Sequence, residues 1–195
     1  MRLFTILFVL CCLSSCTDEQ KETHSLINKN QQWPKSRVFT GNNSTFTISL
    51  TKEIEDLSFK KTDTLPTIYD KALLDVYGME NDTLSAIISV THYGNEVIQK
   101  RNQETLFESS INTFLHSLQA RSTQTMKCTK KLSQQTISGL RTFYSFIDGM
   151  TRYYGVSEMY MVSNRVYHIT ILSTSKDAIT HSPSIALAFH SFMPQ

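Results

Sequence analysis

Apolar and polar residues alternate along several short segments of the chain, and a period of two is typical of strands that bury one face. Segment 46–50 shows this pattern, segments 72–79 and 84–93 predict two further strands, and the polar residues at 80–83 supply a turn between these two. The segment 126–138 fits one or two further strands. These patterns predict a chain that is rich in strands.

The segment 141–174 predicts a three-stranded antiparallel meander. Its first strand alternates until Asp148-Gly149, a preferred centre of a two-residue hairpin because both residue types tolerate positive φ. Strands at 150–162 and 165–174 follow, and Ser163-Asn164 is the expected tight turn between them.

Two segments replace this alternation with helical spacing. In the first, apolar residues recur at steps of three and four and predict a helix over 105–120, with Thr105 and Glu108 at the spacing of a capping box. Ser182 and Pro183 indicate the start of a closing helix, whose buried face is expected to carry Ile185, Ala188, Phe189 and Phe192. Because strands and helices do not alternate regularly, the predicted class is α+β, a mostly antiparallel sheet with helices packed on it.

The N-terminus carries the three regions of a secretory signal peptide. Arg2 precedes a mainly apolar run at 3–13, and small residues follow, so residues 1–15 are predicted to be the signal. The run is shorter than the ~20 residues that a membrane-spanning helix needs. Residues 16–36 are polar and predict a flexible tether, with Trp33 docking it onto a single domain at 37–195.

Leu13-Ser14-Ser15-Cys16 resembles the lipobox of bacterial lipoproteins. The resemblance implies that the Cys16 thiol carries acyl chains such as palmitate, which hold the protein on a membrane. The alternative is a signal cleaved elsewhere, with Cys16 as an ordinary thiol. In such lipoproteins a residue other than Asp after the cysteine, here Thr17, permits transfer to the outer membrane of a gram-negative cell. Asp18-Glu19 is similar to a cell-surface export signal, which leaves the periplasmic face and the cell surface as alternatives.

The order of elements resembles the PsbP-like fold, in which early strands, a long helix, an antiparallel meander and a terminal helix follow one another. The matching stretches are 46–50, 105–120, 167–171 and 189–192, although 51–54 stands where that family has Pro-x-x-Trp. The resemblance implies an α/β/α sandwich and a scaffolding, assembly or binding role without catalysis.

Composition excludes some classes of function. The 195 residues include 19 basic and 17 acidic side chains, so bulk electrostatics do not favour a nucleic-acid partner. Once Cys11 and Cys12 leave with the signal and Cys16 is acylated, Cys128 cannot form an intramolecular disulfide. We expect Cys128 to be a buried, inert thiol, with a nucleophile as the alternative. No cofactor is predicted.

The candidate chemistry is limited to a few residue sets. Tyrosines in the meander predict either an aromatic platform for a glycan or peptide, or ordinary strand packing; they are Tyr144, Tyr153, Tyr154, Tyr160 and Tyr167. His92 and His168 fall on predicted strands, where they are either a two-histidine site for zinc or copper or hydrogen-bonded core residues.

Two further patterns involve acidic residues. Glu53, Glu55 and Asp56 are either a general acid–base pair or calcium site, or a solvated turn. The tripeptides centred on Thr64 and Thr83 resemble an O-glycosylation acceptor, and both are expected in loops.

Together these patterns predict a lipid-anchored envelope protein whose domain binds or scaffolds a protein partner without catalysis. The alternative is an envelope hydrolase or metal-dependent enzyme that uses His92 or His168 with a nearby carboxylate.

Overall fold

The computed structural model describes residues 33–51, 57–66, 71–80, 84–95 and 102–195. In chain order, the first five strands are β1 (Ser36–Thr40), β2 (Phe46–Thr51), β3 (Leu57–Pro66), β4 (Lys71–Glu80) and β5 (Leu84–His92). Helix α1 (Gln103–Ser117) precedes β6 (Arg121–Lys131), β7 (Thr136–Asp148), β8 (Thr151–Val162) and β9 (Arg165–Ser173). The chain continues through α2 (Lys176–His181), α3 (Pro183–Ser191) and β10 (Met193–Pro194).

The strands of the described residues form two antiparallel sheets. The larger sheet has the order β3-β4-β5-β9-β8-β7-β6, and the smaller one has the order β1-β2-β10. The mostly antiparallel α+β class predicted from the sequence is therefore confirmed, and β7, β8 and β9 form the predicted meander.

The large sheet is covered on both faces. Helix α1 packs on one face, where Phe114 meets the Tyr144 ring edge-on and Leu115 belongs to the same buried cluster as Met159 of the sheet. The small sheet, α2 and α3 pack on the other face, whose core includes Phe46, Phe192, Ile88, Ile169 and Ile171. Because one outer layer is partly a sheet, the domain is richer in strands than an α/β/α sandwich.

The turns and caps differ from the predictions by a few residues. Asp148 pairs with Thr151, so the centre of the β7–β8 hairpin is Gly149-Met150 and not Asp148-Gly149. Gly149, the first residue of the turn, has φ +59°, a conformation that glycine adopts more easily than residues with a Cβ atom. Helix α1 is capped by Asn102, whose side chain accepts a hydrogen bond from Glu104 N at 3.0 Å, and not by Thr105.

Other predictions about the ends and loops have separate outcomes. The Trp33 ring stacks on His190 with a centroid distance of 5.2 Å, so the start of the described chain contacts α3. Thr64 lies in edge strand β3 and not in a loop. Thr83, the acidic set at 53–56 and the N-terminal residues 1–32 lie outside the described residues. In the described ranges, none of the helices has the length and apolarity to cross a membrane.

Candidate functional site

The five meander tyrosines do not form one exposed platform. Tyr144 is 2% exposed beneath α1, whereas Tyr160 and Tyr167, 1% and 0% exposed, lie in the core on the other face of the sheet. Tyr153 and Tyr154 are half-buried. Because the large sheet is covered on both faces where these residues lie, none of the five tyrosines is exposed.

His92 and His168 also lie on opposite faces. His168 is directly opposite Ser89 of β5, and His92 follows Ser89 by three residues, an odd step that reverses the face. The sheet therefore separates the two histidines, which do not share a metal site. Among the residues that the structure describes, no three His, Cys, Asp or Glu side chains converge as metal ligands.

His168 belongs to a row of hydroxyl groups beneath α1. Its Nε2 lies 3.0 Å from Thr170 Oγ1, which is 2.7 Å from Ser157 Oγ, and the ring meets Phe114 edge-on at 4.8 Å. Burial lowers the pKa of His168 to about 4, so the imidazole is neutral at neutral pH. This residue is a hydrogen-bonded core histidine.

His92 lies beside a carboxylate on the face of the small sheet. Its Nε2 is 3.4 Å from Asp75 Oδ2, and Asp75 Oδ1 accepts a hydrogen bond from Thr62 Oγ1 at 2.7 Å. The side chains of His92 and Asp75 are 23% and 9% exposed. His92 Nε2 is buried and makes no hydrogen bond, so Asp75 lies beside the imidazole without being hydrogen-bonded to it. A carboxylate next to a partly exposed imidazole is a residue pair that general base chemistry can use.

The most extensive polar group joins three neighbouring strands beneath α3, and we call it the Glu158 cluster: Cys128, Lys130, Arg141, Glu158 and Tyr160. Arg141 Nε donates to Glu158 Oε1 at 2.7 Å, its Nη2 donates to the same oxygen, and Tyr160 OH donates to Oε2 at 2.6 Å. The Glu158 side chain is 1% exposed and that of Arg141 is 36% exposed. Both carboxylate oxygens are thus bonded within the domain.

Lys130 and Cys128 extend this cluster to the edge strand β6. Lys130 Nζ donates to the backbone carbonyls of Phe189 and, at 3.2 Å, His190, which lie in the last turn of α3. A cation at this end is favoured by the helix dipole, whereas burial lowers the pKa of Lys130 and Glu158 opposes that effect. Cys128 Sγ lies 3.7 Å from Tyr160 OH, and burial, followed by the Glu158 charge, raises the thiol pKa to about 11.

The sequence reasoning missed this cluster, although a signal was present. In the predicted strands, Arg141 has the same phase as Phe143, and Glu158 has the same phase as Val156. Charged residues at apolar phases of two consecutive strands indicate a buried pair, because an unpaired charge is costly there.

Comparisons with known proteins give information on the fold. No protein-family profile and no curated protein matches the sequence. The solution structure of cyanobacterial PsbP (CyanoP) from Synechocystis sp. PCC 6803 is similar, with a TM-score of 0.53 and 5% identity over 88% of this chain and 98% of that chain. The domain has a PsbP-like fold.

A second solved structure supports no further conclusion. The protein of unknown function PA94 from Pseudomonas aeruginosa matches 83% of this chain and 99% of its own at 10% identity, but its TM-score is only 0.41. At 5% identity, the similarity to CyanoP gives information on the fold and not on the function.

Proposed function

We propose that the protein is lipid-anchored at Cys16 in the outer membrane of a gram-negative cell, and that its PsbP-like domain binds or scaffolds a protein partner without catalysis. The signal-like segment 1–15 and the lipobox resemblance support the anchor. The remaining support comes from the polar groups inside the domain.

The Glu158 cluster is the observation that carries the non-catalytic part of the proposal. A general acid or base must reach a substrate proton, but the carboxylate of Glu158 is engaged by Arg141 and Tyr160 and is 1% exposed. Lys130 is bonded to α3 in the same region. The buried charges of Glu158 and Lys130 therefore hold secondary-structure elements together.

The anchor can be tested with a pair of cysteine variants. We expect the wild-type chain from native cells to partition into detergent and to carry the mass of its acyl chains on Cys16, because more than one chain gives stable membrane attachment. Cys16→Ser removes both properties, whereas the matched Cys128→Ser variant retains them. An unmodified N-terminus in the wild-type chain would contradict the anchor.

The pair formed by His92 and Asp75 supports a second candidate, an envelope hydrolase. Nε2 is buried next to Asp75, 3.4 Å from Oδ2, so Nδ1 is the nitrogen that would take a proton from an attacking water. Hydrolysis of p-nitrophenyl acetate above the buffer rate, abolished in His92→Asn and retained in His116→Asn, would favour this candidate. His116 is a suitable control because it is exposed on α1. Equal rates in all three chains would exclude it.

A further inference from the structure

The β7–β8 hairpin presents apolar side chains to solvent at its end, and we call Ile147, Met150 and their neighbour Arg152 the hairpin tip. Met150 is fully exposed and Ile147 is 58% exposed. Ile147 belongs to the second residue pair from the turn and Met150 to the turn itself, so both are at one end of the hairpin. Exposed apolar side chains grouped at one place, unlike scattered ones, indicate a contact surface.

The hairpin holds this tip in a fixed position. Strands β7 and β8 pair without a register shift from Gly139–Tyr160 to Asp148–Thr151. Phe146 and Tyr153 form the cross-strand pair next to Ile147 and Arg152, and their rings stack with a centroid distance of 5.2 Å. A pre-ordered apolar tip loses little conformational entropy when it binds.

The described chain begins at the opposite end of the large sheet. Trp33 stacks on His190, whose carbonyl accepts from Lys130, and Lys130 is opposite Ile137 of β7. Ile137 precedes Asp148 by eleven residues of the same strand, which corresponds to about 36 Å. The point where the tether meets the domain and the hairpin tip are therefore at different ends of the molecule.

The length predicted for the tether favours a protein over the anchoring membrane as the occupant. The sequence places sixteen residues between Cys16 and Trp33. A flexible chain of this length has an r.m.s. span of roughly 20–24 Å, and even full extension gives only about 58 Å. To turn the tip towards the anchoring bilayer, the tether would have to span about 36 Å, which is beyond its r.m.s. span although within full extension. The tip therefore more readily faces a partner on the side away from the bilayer.

We propose that the hairpin tip docks into an apolar pocket of a protein partner that carries acidic residues at its rim. Arg152 is directly opposite Ile147, and Arg121 is opposite Ser145 one strand away; both arginines are exposed, while Asp148 is half-buried. The surroundings of the tip thus carry a net positive charge that an acidic rim complements. This inference rests on the proposed lipid anchor and binding function and assigns the contact surface of the latter.

Site-specific photo-crosslinking in the native host cell tests the surface with the full, anchored chain. A p-benzoylphenylalanine group is placed at position 150 and, as the control, at position 112, where Asn112 is exposed on α1. We expect position 150 to give one discrete protein adduct, whose crosslinked peptide lies in an apolar pocket bordered by Asp or Glu. We expect no such adduct at position 112.

Binding to the purified adduct partner then supplies the quantitative readout. Met150→Ser and Ile147→Ser are each expected to weaken the affinity at least tenfold, because buried apolar anchors dominate most interfaces. Arg152→Glu should weaken it by a smaller factor and reduce its dependence on salt, whereas Asn112→Ser should leave it unchanged. All four positions are exposed, and unchanged thermal unfolding confirms that the variants fold.

Other outcomes overturn the hairpin proposal. Adducts at position 150 with lipid alone would assign the tip to a membrane, and adducts with a second copy of this chain would assign it to self-association. A protein adduct at position 112 but not at 150 would leave the binding function intact and reject the tip as its surface. Adducts at neither position would count against both the tip and the proposed protein partner.

Discussion

Replacing Arg141 by methionine should destabilise the domain more than replacing both members of its ion pair. Arg141→Met retains the apolar stem but leaves the Glu158 carboxylate, 1% exposed, with Tyr160 as its remaining hydrogen-bond partner in the cluster. Removing one member of a buried ion pair costs about 3–5 kcal/mol because the other charge remains desolvated. The Arg141 side chain is 36% exposed, so water can enter the vacated volume, and we expect about 3 kcal/mol.

Neutralising Glu158 instead should cost less. In Glu158→Gln, the amide oxygen can still accept from Tyr160, and Arg141 can turn its guanidinium towards solvent, so the loss should be about 1–2 kcal/mol. The double variant Arg141→Met/Glu158→Gln contains neither member of the pair, so no buried carboxylate is left without its arginine. It should therefore be about as stable as Glu158→Gln alone and more stable than Arg141→Met alone.

Urea unfolding of the four chains, monitored by circular dichroism, measures this cycle. For a domain of this size, a loss of 3 kcal/mol corresponds to a fall in Tm of about 6–12 °C, which thermal unfolding checks independently. A loss below about 1 kcal/mol for Arg141→Met would show that solvent already screens the pair. Additive losses in the double variant would refute the argument that the unpaired carboxylate is the source of the instability.

Three further predictions concern buried groups. Burial lowers the pKa of His168 to about 4, so the unfolded chain binds this proton more tightly than the folded domain does. The free energy of unfolding should therefore fall by about 3 kcal/mol between pH 6.5 and pH 4. Urea titrations should show a smaller fall for the His168→Gln variant. At pH 8, Cys128 should react with iodoacetamide about 100-fold more slowly than in the unfolded chain, because its pKa is raised to about 11; an equal rate would contradict this burial. A Cβ on Gly155 would lie 2.4 Å from Tyr144 Cζ, so Gly155→Ala should lower the free energy of unfolding by about 2–3 kcal/mol in a urea titration. Gly149→Ala should lower it by only about 1 kcal/mol, because position 149 has open space around it and its strain comes from φ +59° alone.

The sequence predicted best those elements that bury one face, because burial of a single face imposes a regular apolar period. Helix α1 was found within three residues at each end because its apolar stripe faces one sheet. Strand β3 was missed because its sequence, LSFKKTDTLP, is polar and ends in proline. Such composition is common in edge strands, which have a single hydrogen-bonded neighbour and little burial to enforce alternation. The six-residue helix α2 is too short to show a period.

The candidate sites were harder to predict because they depend on which faces of the sheet are covered. The sequence pattern of β9, RVYHITILS, alternates only weakly, and all of its residues after Arg165 are buried. A strand buried on both faces puts Tyr167 and His168 into two different layers, so neither could form an exposed site with the other tyrosines. Conversely, the pairing of His92 with Asp75 depends on the register of β4 against β5, which short-range sequence patterns do not determine.

The arrangement of the chain ends restricts where a partner can bind without disturbing the fold. Trp33 stacks on α3, β10 pairs with β2, and the Gln195 carbonyl accepts from Arg165 at 2.9 Å and from Tyr167 OH at 2.7 Å. The first and last described segments thus occupy the layer of the small sheet and the end of the large sheet that holds Lys130. A partner that bound there would have to displace these contacts, whereas the hairpin tip at the other end has no such contacts to lose. This difference in cost is the physical reason to look for a partner at Met150 before the end of the sheet that holds Lys130.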